Sequence, residues 1–261
     1  MKAFDLQDKV AVISGASRGI GAAIARAYVQ AGASVAISSR KAENVEPVAE
    51  EINSDYPGRA LAVVAHAGRP EEAQTFVQRA VDEFGRIDIA VNNAGTNPHF
   101  GPLLDAEPWQ WDKILEVNVK GYFWLCQAAA RQMQAQAGED SGQKGGKIIN
   151  MASITGIEPG PMMGIYSVSK AAVIMLTKVL AVELGADDIQ VNAIAPGFVK
   201  TRFSAALWQN EMLHQRITDQ TPAGRMADPE EIVGVALYLA SAASDFTTGA
   251  VFTVDGGYTL T

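Results

Sequence analysis

"VAVISGASRGIGAAIARAYVQAG" (residues 10–32) runs from a short β-branched strand pattern, through a glycine-rich turn, into an alanine-rich helix pattern. Gly15, Gly19 and Gly21 have the spacing G-x-x-x-G-x-G. Glycines alone are weak evidence for a binding site, because tight turns of many kinds contain them. Here their position directly after the first strand supports one. The backbone N–H groups and the dipole of a helix N-terminus favour a bound anion. The stretch therefore predicts a pyrophosphate site between strand and helix.

The alternation of strand and helix patterns continues along the chain. Strands are predicted at 10–13, 34–38, 60–65, 87–93, 147–151, 190–195 and 251–255, and helices at 19–31, 43–53, 70–84, 108–135, 164–184 and 229–240. The strands are apolar at nearly every position, which is typical of parallel strands buried on both faces. We therefore predict an α/β fold over residues 1–261, a single domain with a doubly wound, mainly parallel sheet and helices on both faces.

Two segments interrupt this alternation. Residues 136–146, "QAGEDSGQKGG", are polar and glycine-rich, and they predict an exposed loop. Residues 197–228 have no strand pattern and several large side chains. A connection of that length within a compact domain is usually functional, so we interpret 197–228 as a lid over the substrate.

The composition excludes several classes of protein. Of 261 residues, 48% are apolar and 19% charged, and the net charge is −8 without a block of like charge. Neither nucleic acid nor a membrane is expected as a partner. The charged N-terminal residues do not resemble a signal peptide, and no apolar run approaches about 20 residues, so we expect a cytoplasmic protein. The single cysteine, Cys126, allows neither an internal disulfide nor a cysteine-based zinc site, and no metal is expected.

A tyrosine and a lysine stand four positions apart in "IYSVSKAAVIM" (165–175). Residues i and i+4 share one face of a helix, so an ammonium group at Lys170 is expected to lower the pKa of the Tyr166 phenol. A tyrosine whose pKa is lowered toward the working pH can take a proton from an alcohol or return one to a carbonyl oxygen. Taken alone, the pair also suits the edge of a core. Ser153, at the end of a preceding strand, favours the catalytic interpretation because its hydroxyl can donate to a substrate oxygen.

Six motifs in order resemble the classical short-chain dehydrogenase/reductase family. They are "SGASRGIG", "NNAG" (92–95), Asn118 in "EVNVKG", Ser153 in "NMASITG", "YSVSK" (166–170) and "PGFVKT" (196–201). The resemblance covers essentially the whole chain. It implies a seven-stranded Rossmann-type sheet and hydride transfer between a nicotinamide cofactor and an alcohol/carbonyl pair.

The resemblance also implies roles for individual residues. The catalytic tetrad is Asn118, Ser153, Tyr166 and Lys170; Lys170 also binds the nicotinamide ribose, and Asn118 anchors a water that connects Lys170 to solvent. The remaining cofactor-binding residues are expected to be Gly15, Ser17, Arg18, Gly19, Ile20 and Gly21 in the glycine loop, Ser39, Arg40, His66 and Ala67 after the second and third strands, Asn93, Ala94 and Gly95 beside the adenosine, and Pro196, Gly197, Val199 and Thr201 near the nicotinamide and phosphates.

His66-Ala67 departs from the family pattern, which usually has Asp-Val or Asn-Val facing the adenine. A histidine there can still donate a hydrogen bond or stack, and we do not expect it to be catalytic. At the end of the second strand the family's NAD enzymes carry a carboxylate for the ribose 2′-hydroxyl. Here Ser38, Ser39 and Arg40 precede the first acid, Glu43. These residues, with Arg18, suit a 2′-phosphate, so NADP(H) is predicted over NAD(H), with NAD(H) use left open.

The expected substrate walls are 96–105, 157–165 and the lid with Phe203, Leu207, Trp208 and Met212, and they show no obvious arginine clamp for a carboxylate. A hydrophobic ketone, aldehyde or secondary alcohol is therefore predicted, and a 3-oxoacyl thioester is the alternative. The resemblance is to carbonyl and retinal reductases and, almost equally, to bacterial 3-oxoacyl reductases. NAD-dependent alcohol oxidation and a silent cofactor-binding regulator are further alternatives. Long apolar helices at 108–135 and 164–184 and the C-terminal segment predict a homotetramer.

Overall fold

A seven-stranded parallel sheet forms the centre of the computed structural model, which describes residues 4–137 and 145–261. The strand order is β3-β2-β1-β4-β5-β6-β7. The strands are β1 Val10–Ser14, β2 Ser34–Ser39, β3 Ala60–Val64, β4 Ile89–Asn92, β5 Gly146–Met151, β6 Ile189–Pro196 and β7 Val251–Val254. Their number and parallel pairing confirm the predicted fold class. Most of the loop predicted at 136–146 lies outside the described residues.

The helices lie on both faces of the sheet. They are α1 Gly19–Gln30, α2 Ala42–Asp55, α3 Pro70–Phe84, α4 Pro108–Leu115, α5 Gly121–Gln136, α6 Gly164–Leu184, α7 Ala205–Trp208, α8 Glu211–Gln220 and α9 Val233–Ala240. Local chemistry explains their ends, as α3 illustrates. This helix starts with Pro70 at a position that needs no N–H donor, has Glu71 and Glu72 near its positive end, and stops at Gly85 with φ 81°.

Two apolar clusters fill the space on either side of the sheet. On one face, α1, α2 and α9 pack on side chains such as Ala11 and Ile13 of β1. On the other face, α3, α5 and the C-terminal part of α6 pack on side chains that include Val12. Successive strand residues point to opposite faces, so a strand covered on both sides must be apolar throughout. The continuous apolar runs of the sequence have this cause.

The strand order reverses between β1 and β4. The chain proceeds outward from β1 through β2 to β3, then returns to place β4 on the other side of β1. In an open parallel sheet, ligands bind beyond the carboxyl ends of the strands at such a reversal. The glycine loop after β1 and the "NNAG" segment at the end of β4 meet at this point.

Two elements differ from the sequence-based prediction. The helix expected at 108–135 is divided by a π-helical segment, Glu116–Lys120, between α4 and α5. The segment 197–228 forms α7 and α8 and is closed at its base by hydrogen bonds of 2.8 and 2.9 Å that join Ala227 to Lys200 and Phe198. The proposed lid is therefore a helical flap with a fixed base.

Helix α6 and the turn after it, Gly164–Asp187, meet the length and hydropathy requirements of a membrane-crossing helix. The helix covers β6 in the structure and carries the buried Lys170. Its apolar character therefore has an explanation within the fold, because one side packs on the sheet.

Candidate active site

A cleft of about 510 Å³ opens at the carboxyl ends of the strands. Nearly all of the predicted site residues line it. Those on its wall are Gly15, Ser17, Arg18, Gly19, Ile20, Ser39, Arg40, His66, Ala67, Asn93, Ala94, Gly95, Ser153, Tyr166, Lys170, Pro196, Gly197, Val199 and Thr201. Gly21 and Asn118 are buried behind the wall. The fold thus brings residues from both halves of the chain to one surface.

The glycine loop and the end of β4 are in direct contact. Gly15 has φ +65°, and a Cβ atom there would lie 2.7 Å from the Cα of Ala94. The Asn93 side-chain amide donates to the carbonyl oxygens of Ser14 and Gly15 at 3.2 and 2.9 Å. A Cβ on Gly21 would lie 2.5 Å from that amide nitrogen. Gly21 is therefore needed for packing between loop and helix.

The N-terminus of α1 suits the pyrophosphate of a dinucleotide. Arg18 occupies the cap position with extended backbone, and no side chain caps the helix. The N–H groups of the first turn consequently have no side-chain acceptor and point toward the cleft, where the helix dipole favours an anion. Gly19 and Ile20 of this turn line the cleft, so the residues present fit such a group.

At the end of β2, basic side chains surround the expected position of the adenosine ribose. Arg40 and Lys41 line the cleft with exposed side chains. Glu43, the first acid after the strand, forms an ion pair with Lys41 at 3.1 Å. The Ser39 hydroxyl donates to the Lys41 carbonyl oxygen at 2.9 Å and therefore also stabilises the turn. This region presents positive charge and no carboxylate of its own at the strand end.

His66 lies on the wall of the cleft after β3, and both of its ring nitrogens have neighbours within the protein. Its Nδ1 accepts a hydrogen bond of 3.1 Å from the Gly68 N–H. Its Nε2 lies 3.3 Å from the Lys113 Nζ, and an ammonium group can only donate. Burial, followed by the nearby Lys113 ammonium, lowers the pKa of His66 and keeps the ring neutral. At this position, where the family usually has an acidic or amide side chain, His66 thus contacts Gly68 and Lys113 of its own chain.

The catalytic end of the cleft contains Ser153 and Tyr166. Ser153 follows β5, and Tyr166 lies in the first turn of α6. Burial raises the pKa of the Tyr166 phenol above its ordinary value, and interaction with the Ser153 hydroxyl opposes that rise only in part. The expectation of a lowered Tyr166 pKa is therefore wrong for the protein without ligand, because the loss of hydration outweighs the neighbouring amine.

The buried surroundings of Lys170 explain why its amine is a weak source of positive charge. It is 3% exposed, and its Nζ donates to the Met151 carbonyl oxygen at 2.6 Å and to the Tyr122 hydroxyl at 3.1 Å. No acidic side chain forms an ion pair with it among the described residues. Burial therefore lowers the pKa of Lys170 to about 7. Its Nζ lies 5.6 Å from the centre of the Tyr166 ring.

Asn118 lies in the π segment and is completely buried. Its side-chain oxygen accepts from the Thr96 N–H at 2.8 Å, and its amide donates to the Thr96 carbonyl at 2.9 Å and to Ser169 at 3.2 Å. The side chain therefore joins the loop after β4 to α6. A water-anchoring role for Asn118 stays a prediction.

The substrate wall differs in part from expectation. Met163, Phe203 and Leu207 line the cleft, and the Phe203 ring lies 5.8 Å from that of Tyr166. Met212, by contrast, is 81% exposed and lies off the wall. Trp208 is also off the wall, because its indole donates to the Thr201 carbonyl at 2.9 Å.

Sequence reasoning missed three residues of the site. Arg202 lines the substrate end with an exposed side chain, which corrects the expectation of a wall without arginine. Its position next to Phe203 in the lid was the available signal. Tyr122 accepts a hydrogen bond from Lys170 across the fold. Thr155 donates a hydrogen bond to Ser153 within a turn. No sequence pattern predicts such contacts.

Comparison with known proteins identifies the class. The family model described as enoyl-(acyl carrier protein) reductase matches residues 15–259. Together with the relatives below, this match shows that the chain belongs to the short-chain dehydrogenase/reductase family. It is an oxidoreductase that acts on small molecules with a nicotinamide cofactor.

Individual relatives are similar over nearly their full length. Dehydrogenase/reductase SDR family member 4 of Oryctolagus cuniculus is 39% identical over 252 residues, which cover 97% of this chain and 94% of the relative. The structure of a short-chain dehydrogenase/reductase from Mycobacterium marinum has 40% identity and a TM-score of 0.92 and covers 100% of this chain and 99% of its own. A gluconate 5-dehydrogenase from Burkholderia cenocepacia J2315, in complex with NADP and tartrate, has 35% identity and a TM-score of 0.92, with coverage of 100% and 98%.

Proposed function

We propose that the protein reduces a hydrophobic ketone or aldehyde with NADPH and uses Tyr166 as the proton donor. The convergence of Ser153, Tyr166 and Lys170 beside an apolar wall carries this proposal. A regulator that only binds cofactor would have no need for all three side chains in the cleft.

When bound, the nicotinamide ring supplies the hydride to the carbonyl carbon. The Tyr166 O–H donates its proton to the carbonyl oxygen as that oxygen gains negative charge. The Ser153 hydroxyl donates a hydrogen bond to the same oxygen and holds it beside the phenol. Lys170, fixed by Met151 and Tyr122, stabilises the phenolate that remains. Phe203 and Leu207 supply an apolar surface beside the reacting atoms.

The preference for NADP(H) rests on the basic end of the cleft. Arg40 and Arg18 both line it, and Lys41 draws Glu43 into an ion pair. A 2′-phosphate would accept charge-assisted hydrogen bonds from these guanidinium groups. The NADP named with the similar gluconate 5-dehydrogenase structure supports the same preference.

Arg202 favours a second candidate function. A guanidinium group on the substrate wall suits a carboxylate, and the similar protein from Burkholderia is a gluconate 5-dehydrogenase. Under this alternative the enzyme would interconvert a hydroxy acid and its keto acid, and Arg202 would bind the carboxylate. The neighbouring apolar side chains Phe203, Leu207 and Met163 favour the hydrophobic carbonyl.

A substrate panel tests these proposals. Aromatic ketones, aliphatic aldehydes, a 3-oxoacyl thioester and sugar acids should each be assayed with NADPH and with NADH. We expect the highest kcat/KM with an apolar carbonyl and NADPH. A sugar acid as the best substrate, with activity lost in Arg202→Ala, would support the second candidate instead. Lys200→Ala, one exposed cation earlier in the lid, is the matched control.

We also propose a homotetramer. On α6, Val168, Met175, Val179 and Val182 are 44 to 85% exposed and recur on one helix face. Near the C-terminus, Phe246 and Leu260 are also exposed. Apolar surface of this kind is typical of subunit interfaces. Light scattering should give about four times the chain mass of 27.7 kDa, and a monomer at micromolar concentration would contradict the proposal.

We also propose that the protein works in the cytoplasm, where its single cysteine, the buried free thiol of Cys126, needs no disulfide partner. Cell fractionation would test it, and recovery in a membrane fraction would contradict it.

A further inference from the structure

The Ser153 oxygen receives two hydrogen bonds from a single neighbour. The backbone N–H of Thr155 donates to it at 3.2 Å, and the Thr155 hydroxyl donates at 3.0 Å. Ser153 caps the short 3₁₀ turn Ile154–Gly156, of which Thr155 is the central residue. Thr155 is 8% exposed, so solvent competes little for its hydroxyl.

These two bonds limit what Ser153 can do. A hydroxyl oxygen has two lone pairs and one proton. With both lone pairs of Ser153 occupied by Thr155, the Ser153 hydroxyl can still donate but can accept no further bond. It therefore cannot receive the proton of the Tyr166 phenol, with which the Ser153 hydroxyl interacts.

The direction of this hydrogen bond matters for the reaction proposed above. A carbonyl oxygen is only an acceptor, so efficient reduction needs donors from both Ser153 and Tyr166. If a lone pair of Ser153 were free, the phenol could donate to Ser153, and its proton would be held away from the substrate. We propose that Thr155 is a positioning residue that fixes Ser153 as a hydrogen-bond donor and so reserves the Tyr166 proton for the substrate. The inference rests on the proposed function of Ser153 and Tyr166.

The chain offers a pair of closely matched variants. Thr155→Val keeps the branched shape and removes only the hydroxyl, while Thr155→Ser keeps the hydroxyl and removes the methyl group. That methyl group packs near Gly160, where an added Cβ would lie 2.9 Å from Cγ2 of Thr155. The valine substitution should thus preserve the packing that the serine substitution disturbs. A purely structural role predicts that serine is the worse substitution; the positioning role predicts that valine is.

Steady-state kinetics of the reductase, measured in a double-mutant cycle with Ser153→Ala, test the proposal. We expect Thr155→Val to lower kcat about tenfold, the effect of one lost hydrogen bond, with the cofactor Kd and the melting temperature unchanged. Thr155→Ser should restore most of the activity. In the Ser153→Ala background, where the bond has no acceptor, Thr155→Val should cost nothing more.

Two results would overturn the proposal. One is a Thr155→Val enzyme as active as the parent protein; the other is the same tenfold loss in the Ser153→Ala background. Neither would affect the proposed function, which fails separately if Tyr166→Phe remains active.

Discussion

The two ends of the cleft differ in how far their charged groups are exposed to water. The adenosine end, with Ser39, Arg40 and His66, is open and rich in charge: Arg40 is exposed, and Lys41 and Glu43 form an ion pair with side chains 66% and 72% exposed. At the catalytic end the amine of Lys170 is 3% exposed and donates to two neutral oxygens, those of Met151 and Tyr122.

The comparison shows how hydration decides what a charge can do. At the open end water and salt screen each charge, so selectivity there must come from several weak contacts. At the closed end the loss of hydration moves the pKa of Tyr166 up and that of Lys170 down to about 7. Before a ligand binds, the Tyr166 phenol is thus neutral near pH 7, and Lys170 is close to half protonated.

The largest expected effect lies at the closed end. Tyr166→Phe removes the proton donor and keeps the ring, so kcat should fall about 10³-fold, as is typical for loss of a general acid. Cofactor Kd, measured by fluorescence titration, should change less than twofold. Tyr56→Phe, a change at an exposed tyrosine outside the cleft, is the control. Turnover above a tenth of the parent value in the Tyr166→Phe variant would contradict the assignment.

Removing the buried amine should affect two measurements together. Lys170→Ala is expected to lower kcat about 10²-fold and to raise the NADPH Kd about tenfold, because one group stabilises the phenolate and binds the ribose. Lys178→Ala, on the exposed side of the same helix, should leave both values unchanged. A normal cofactor Kd in the Lys170→Ala variant would remove the ribose contact from the proposal.

Lys170 should also make the ligand-free protein more stable as the pH rises from about 7 to 9. Its folded pKa is about 7 against an ordinary value of 10.5, so in this range the unfolded chain binds one more proton. The unfolding free energy then increases by up to about 1.4 kcal/mol per pH unit. The unfolded Cys126 thiol ionises around its ordinary pKa of 9.0, while burial raises its folded pKa to about 12, so this group opposes the trend increasingly toward pH 9. Urea unfolding of Lys170→Met should lose the slope; a parallel curve would show that another group causes it.

The smallest effect is expected at the open end. Arg40→Ala should reduce the ratio of kcat/KM for NADPH to that for NADH about tenfold, equal to about 1.4 kcal/mol, through loss of charge-assisted bonds to the 2′-phosphate. The difference should shrink as salt is added, unlike the effects at Lys170. Arg79→Ala, an exposed change on α3, is the control. An unaltered ratio would assign the preference to residues other than Arg40.

The sequence predicted the scaffold better than it predicted the electrostatics. β-branched apolar runs placed all seven strands within about two residues, because burial on both faces leaves a continuous signal. The Tyr166–Lys170 pair was visible as a spacing of four. The pKa of Tyr166 was predicted in the wrong direction because it depends on burial by distant segments. The π segment at Glu116–Lys120 also left no signal, since it differs from an α-helix in hydrogen bonding and hardly in composition.

Because of the π segment, the number of residues between α4 and α5 matters to this enzyme as well as their identity. It adds extra backbone to a helix whose two parts are both anchored: Lys113 and Val117 line the cleft, while a Cβ on Gly121 would lie 2.6 Å from the Ala67 carbonyl oxygen. Deleting one residue from Glu116–Lys120 would let the segment close into a regular α-helix while both parts keep their places, and it would displace Asn118 from Thr96 and Ser169. A scan of single-residue deletions should therefore find α4 and α5 intolerant, because a deletion there turns one part by about 100° against the other. A deletion within the π segment should keep the fold and lower activity through Asn118.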